Sequence, residues 1–408
     1  NPFWAYVAFV FSLPFAALKL LPVRGFSNPA FMAIAVLALS VLLNLHRIPP
    51  LRLDKLGVKP WLFGVFVAVA FVTSPFTINQ PNAIRFTVMA VAIFVLYLLG
   101  TMLIEDRAKL RICVDWFLLG AAVSALVVLY DFFFIHHPLS AEFYRAGSIY
   151  AGGPATGTVI SFLIAIPLSL FLSEERKHWL PQLWYYGVAI ASVAAIIFSA
   201  TRSAWLALAI LALIELMRRP VRTLVAVSLV AVLTIGAVRM YLPSTYEQYA
   251  IRIFSAFNPE YGSQVQVGFR IENYGIGMKM LASYPLFGVG LANFGTHAGQ
   301  FGRETVPVDL GLNAHNAFLE VLTTTGLLGG LPYILVWLLT LYTLILVAGR
   351  GPPQLKPIAS GLALGLIMYF THSLFHSAHL ALLLALVFSM ASVMRRETLQ
   401  LRTARGND

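Results

Sequence analysis

"NAFLEVLTTTGLLGGLPYILVWLLTLYTLILVA", residues 316–348, runs for more than thirty residues with a single charge, Glu320. A bilayer needs about 20 consecutive apolar residues to be crossed by a helix, so this stretch predicts a membrane helix long enough to tilt or protrude. His315 and Asn316 stand at its mouth, and threonines and glycines follow them within three turns. The remainder of the chain repeats the theme. It has 408 residues, of which 59% are hydrophobic and only 11% charged, with a mean hydropathy of +0.81. No soluble domain can hide that much apolar surface.

Further apolar runs fall at about 3–22, 28–45, 60–77, 82–104, 112–135, 154–172, 183–200, 203–217, 223–242, 357–374 and 378–394. With 316–348 they predict an all-α, polytopic membrane protein of about twelve transmembrane helices. The chain starts at Asn1 rather than Met, so a short native start is expected to precede it. Its one cysteine, Cys113, excludes an internal disulfide framework and a cysteine-based zinc site. The net charge of +11 is spread among loops and helix ends rather than gathered into a patch, which argues against a nucleic-acid partner.

Most Lys and Arg fall on one side of the predicted bundle, in clusters such as Arg107, Lys109 and Arg111, Arg218, Arg219 and Arg222, and Arg395 with Arg396. The excess of positive charge marks that side as cytoplasmic, and an even helix count puts both termini there. One connection is long. Residues 243–315 separate the ninth and tenth helices on the outer, periplasmic side, and their aromatic residues argue for order. The chain thus divides into helices one to nine (1–242), a loop domain (243–315), and helices ten to twelve with a cytoplasmic tail (316–408). Within the loop, "YEQYAIRIFSAF" (246–257) has the pattern of an interfacial amphipathic helix. "NYGIGMKMLASYPLFGVGLANF" (273–294) reads as a helix broken by turns at Pro285, Gly288 and Gly290.

On this topology polar chemistry collects at the outer face. His315 lies at a helix N-terminus with Asn313 as the expected N-cap. A helix N-terminus disfavours the imidazolium, so the ring is expected neutral and able to act as a general base. Arg202 sits in the turn between the seventh and eighth helices, flanked by Thr201 and Ser203. A guanidinium beside free helix N–H groups suits a phosphate or diphosphate. Arg270 in the long loop, with Arg145 and Arg85 on the same side, would complete an anion site if they converge. His372, His376 and His379 have zinc-compatible spacing, but two apolar runs must turn over between them, so they are expected to span a turn. No Asp-x-Asp pair occurs, which argues against a metal-dependent glycosyltransferase centre. A transporter is the rival class at this helix count. It would carry acidic groups near the midplane, whereas Asp115, Asp131, Glu215 and Glu320 mostly lie near helix ends.

Three blocks in order, "SATRSAWLAL" (199–208), Arg270 with "YPLFGVGLANF" (284–294), and "HNAFLEVLTTTGLLGG" (315–330), resemble the signature regions of the O-antigen ligase and polymerase superfamily. The resemblance covers roughly 185–345, and the His-Asn pair followed by Gly326 and Gly329 is similar to the ligase branch. It implies a lipopolysaccharide ligase of the bacterial inner membrane that moves O-polysaccharide from an undecaprenyl diphosphate donor to a sugar hydroxyl of lipid A-core. His315 would activate the acceptor, and Arg202 and Arg270 would hold the diphosphate, with Arg145, Arg85 and Asn316 as further substrate-binding candidates. A direct displacement would invert the anomeric carbon, with neither cofactor nor metal demanded. Membrane lipids surround such an enzyme. A protein O-oligosaccharyltransferase or an O-antigen polymerase uses the same donor and differs in its acceptor.

Overall fold

The computed structural model describes residues 1–15, 28–51, 53–135, 157–199, 201–241, 264–302, 313–377 and 380–405. Among the described residues every regular element is a helix. The α-helices are α1 (Pro2–Ser12), α2 (Pro29–Leu43), α3 (Leu53–Leu56), α4 (Lys59–Thr73), α5 (Gln80–Leu103), α6 (Arg107–Tyr130), α7 (Gly157–Glu174) and α8 (Trp179–Phe198). They continue with α9 (Arg202–Arg218), α10 (Pro220–Tyr241), α11 (Gln264–Ser283), α12 (Phe294–Ala298), α13 (Ala317–Arg350), α14 (Lys356–Ser373) and α15 (Leu383–Arg405). The expected amphipathic segment 246–257 lies outside the described residues.

Five stretches are long and apolar enough to cross a membrane: Lys59–Phe76, Gln80–Leu103, Arg107–Phe134, Trp179–Phe198 and Ala317–Arg350. Their outward faces stay apolar, with Phe71, Val88, Ile190 and Leu338 all exposed. Water would not tolerate such faces in a stable monomer, and a lipid phase covers them.

Inside the bundle, helices meet through small residues and sparse hydroxyl bonds, the usual packing where burial alone supplies no preference between lipid and protein. Gly361 and Gly365 bring α14 so close to α7 that a Cβ at Gly361 would lie 2.5 Å from Leu168 Cα, and one at Gly365 would lie 2.9 Å from Ile164 Cα. Tyr6 and Tyr97 each share a 3.2 Å hydrogen bond with α15, through Ser389 and Ser392. Ser124 and Thr158 both donate to the Pro14 carbonyl at 3.1 Å, tying α6 and the start of α7 to the turn that follows α1.

The stretch 316–348 is not one straight helix. Gly326 has φ 63° and ψ −170°, outside helical space, and the chain folds back there. In a straight helix Phe318 and Trp337 would lie about 28 Å apart. Their rings are 5.5 Å apart, and a Cβ on Gly330 would come within 2.7 Å of Leu322. Residues 317–325 therefore form a short arm packed antiparallel on 327–350. The turn at Gly326 is filled by residues 285–290: Leu327 and Leu328 N–H donate to the carbonyls of Pro285 and Leu286 at 2.8 and 3.1 Å, and Val289 and Gly290 N–H donate to those of Thr323 and Thr324 at 3.0 and 2.9 Å. Irregular backbone in an apolar setting survives only when its polar groups are met inside the protein, and this exchange meets them. Both sides need glycine. Gly288 has φ 68°, and a Cβ there would sit 2.5 Å from the Thr324 carbonyl carbon, while a Cβ on Gly326 would collide with the Leu286 carbonyl. The turns expected at Pro285, Gly288 and Gly290 are thus present, and their partner is the glycine motif of α13.

Candidate active site

Residues 313–316 make the tight connection that leads into the short arm of α13, and several of their polar groups are engaged. Asn316 is the N-cap of α13, its Oδ1 accepting from Phe318 N and Leu319 N at 3.0 and 3.1 Å. This corrects the expectation for Asn313. Asn313 instead closes a turn one step earlier, accepting from His315 N at 3.0 Å and from Ser377 Oγ at 2.9 Å. Its carbonyl receives a bond from Asn273 Nδ2 of α11 at 3.2 Å. Glu320, one turn into α13 and buried, reaches back so that its Oε2 accepts from Ala314 N at 2.6 Å. Two asparagines compete for the cap in the sequence, and the one whose side chain reaches the second and third amides of the helix takes it.

These bonds hold His315 in a conformation unusual for its type, with φ 51°. A non-glycine residue in the left-handed region costs of order 1–3 kcal/mol and persists only when its surroundings over-determine it. Here the supports come from α11, from the α14–α15 connection and from α13 itself. His315 is half-buried, and its pKa is lowered from the ordinary histidine value, first by burial and second by the positive charge of Arg270. The direction is the one the sequence led us to expect, and its causes are desolvation and a neighbouring cation rather than the helix N-terminus.

Arg270, on α11, is the hub. Its charge bears on His315, on Arg202 at the first residue of α9, and on Tyr274 one turn along α11. Tyr274 in turn donates to the Leu374 carbonyl at 2.9 Å, and the Asn316 side chain lies near its hydroxyl. Beside Arg202, Ser203 Oγ shares a 2.9 Å hydrogen bond with Nδ1 of buried His372 at the end of α14. The histidines do span a helix end: His372 closes α14, His376 lies past it, and their rings stack at 5.1 Å and 13°. His379 lies outside the described residues. Among the described residues no three of His, Cys, Asp and Glu converge in a group able to hold a metal ion.

Two guanidinium groups and an imidazole from three separate helical regions therefore gather at the C-terminal end of α14. Like charges held together resist each other, and an oxyanion between them relieves that cost. Of the other candidates, Arg85 is exposed on the first turns of α5. None of the described contacts that join Arg202, Arg270 and His315 includes it. Arg145 lies outside the described residues. Asn316 adjoins His315, with its carbonyl oxygen engaged in capping. Sequence reading did not find Asn273, Tyr274, Ser377 or the role of Glu320. For Glu320 a signal was present, a lone acid one turn into an apolar helix behind an asparagine cap.

Residues 187–334 match the family described as O-Antigen ligase. The matched span runs from within α8 into the long arm of α13 and contains Arg202, Arg270, His315 and the Gly326 turn. No curated protein compared with the chain matches it.

Proposed function

We propose that this chain, whose residues 187–334 are of the O-antigen ligase family, is a lipopolysaccharide O-antigen ligase. It transfers O-polysaccharide from undecaprenyl diphosphate to a sugar hydroxyl of lipid A-core at the periplasmic face of the bacterial inner membrane. The observation that carries this reading is the place of Arg270, whose charge reaches both Arg202 and His315. A base next to a pair of guanidinium groups is what a displacement of a diphosphate by a hydroxyl requires.

In that reaction His315 takes the acceptor hydroxyl's proton as its oxygen bonds to the anomeric carbon. The bond from that carbon to the diphosphate oxygen breaks, and the leaving diphosphate keeps the electron pair against Arg202 and Arg270. One displacement inverts the carbon. The arginines act where negative charge grows, which is where fixed positive groups contribute most. The topology that goes with this reading has about twelve crossings, both termini cytoplasmic and residues 243–315 periplasmic, with the 317–325 arm extending that outer region. A glycosyltransferase so arranged needs neither cofactor nor metal.

The test is a mixture of purified protein, undecaprenyl-diphosphate-linked glycan and lipid A-core, scored for a lipopolysaccharide of higher mass. Formation of that product is expected. Product only on a pilin-type peptide acceptor reassigns the chain to protein O-glycosylation, and product only as a longer carrier-linked glycan reassigns it to polymerisation.

A further inference from the structure

At the other end of α14, about 27 Å away along its 18 residues, lies a cavity of about 590 Å³ between the ends of α4, α13 and α15. Lys59 lines it. This lysine is the first residue of α4, only 1% exposed, and its Nζ has no hydrogen-bond partner among the described residues. An ammonium withdrawn from water without a partner is costly, and proteins rarely leave one so. Two more cations share the cavity, Arg350 at the end of α13 and Arg395 of α15. Arg395 is held over the turn at Gly57, where a Cβ would fall 2.5 Å from its Nη1, and its charge bears on Lys59. The neighbouring Arg396 is consumed differently, donating to the carbonyls of Thr101, Ile104 and Glu105 at 2.7–3.1 Å. Arg396 closes a helix end, whereas Lys59 and Arg395 border the cavity.

The rest of the wall says what kind of anion fits. Tyr342, Leu346 and Leu399 line the same cavity and are exposed on the bundle's flank, so cations sit against an apolar surface that lipid tails would cover. A free ion needs no such wall, while an amphiphile needs both. We propose that this cavity binds the phosphate headgroup of an anionic membrane lipid, with Lys59 as its buried contact, Arg350 and Arg395 at its mouth, and the acyl chains along Leu346 and Leu399. The site is separate from the transfer chemistry and does not depend on it.

The test uses the full-length protein in a neutral detergent, with bound lipid counted by native mass spectrometry after addition of dioctanoyl phosphatidylglycerol, dioctanoyl phosphatidylcholine or inorganic phosphate. Phosphatidylglycerol should be retained and phosphatidylcholine should not. Lys59→Met keeps the volume and removes the charge, and it should weaken retention about tenfold or more, as loss of a charged hydrogen bond does. Arg395→Gln should do the same, which decides the matter even if Lys59→Met does not fold. Arg218→Gln, an ion-paired arginine at a similar helix end, should leave retention unchanged. Equal retention of both lipids, unchanged retention in Arg395→Gln, or displacement of phosphatidylglycerol by stoichiometric inorganic phosphate would each overturn the assignment.

Discussion

Two groups of arginines in the bundle are used in opposite ways. Near the ends of α6, α9 and α15 they meet carboxylates: Arg107 meets Glu397 at 3.1 Å, Arg111 meets Asp115 at 3.2 Å, and Arg219 meets Glu174 at 2.7 Å. At the candidate active site Arg270 instead stands where its charge opposes Arg202 and the protonation of His315. Cation next to carboxylate is a finished interaction. Arg270 instead adds positive potential around Arg202 and His315, and such a field favours an incoming anion. Residue type does not distinguish the two groups, and neighbours do.

The sharpest way to break this contrast is at His315. His315→Ala should lower the transfer rate by about 10² to 10⁴, the usual contribution of a positioned base, while donor binding to the purified protein changes little. His315→Asn is the better control for backbone effects, since asparagine accepts the left-handed region that alanine resists. Equal turnover in wild type and His315→Asn at saturating substrates would show that the site end holds charge but performs no proton transfer.

Gly326→Ala tests whether the active-site end depends on the fold-back behind it. A side chain at φ 63° and ψ −170° costs roughly 1–3 kcal/mol, and the added Cβ must also displace the Leu286 carbonyl. Lower thermal stability in detergent and loss of transfer are expected together. A fully stable and active variant would mean that residues 285–290 and the α13 arm can separate without harm.

Arg202→Lys and Arg270→Lys keep the charge but lose the planar fork that binds a diphosphate bidentately. Each should reduce transfer about ten- to a hundredfold, the range for a charged hydrogen bond. The same change at Arg219 should leave transfer alone. Losses of similar size at all three would erase the difference between the groups.

Much of this architecture can be read from the chain, and the exceptions share a cause. Apolar runs announce helices because the bilayer imposes their length, and Pro285, Gly288 and Gly290 announce turns because few other residues permit them. The break at Gly326 is hidden, because glycine is common in membrane helices and only the arrival of residues 285–290 makes this one a turn. His315, Arg202 and Arg270 stand out by type and side, yet their gathering depends on α11 placing Arg270 beside a loop more than forty residues downstream. The N-cap shifted from Asn313 to Asn316 because the backbone at His315 follows tertiary bonds from Asn273 and Ser377 rather than local preference. What the sequence conceals are relations between distant segments, and those relations make the site.

A smaller effect lies in the pH profile. A general base must be unprotonated, so transfer should fall as pH drops through the His315 pKa, which burial and Arg270 hold below the ordinary histidine value. Removing the positive neighbour makes the imidazolium easier to form. In Arg270→Gln the acid limb of the remaining activity should therefore move to higher pH, toward the ordinary value, while burial continues to oppose it. A limb that stays in place would mean that Arg270 acts on the donor alone.

The smallest effect is expected in the ion-paired group. Glu174 meets Arg219 at 2.7 Å and Arg218 at 3.9 Å, and its side chain is 24% exposed while those of its partners are 35–36% exposed. Glu174→Gln removes the charge and keeps the shape. Solvent and salt screen such a pair, and exposed pairs are worth about 0–1 kcal/mol. Arg218 also retains Glu215, with Oε1 2.5 Å from its Nη1, and lies over the Phe171 ring at 4.3 Å, so it keeps its place without Glu174. The melting temperature should drop by a degree or two at most at low salt, and by less at high salt. Transfer at saturating substrates should be unchanged, because no described contact leads from Glu174 to Arg270 or His315. A loss of transfer without a loss of stability would show that the two groups are coupled through α9, whose first residue is Arg202 and whose last is Arg218, and the separation between finished and poised charges would then fail along that helix first.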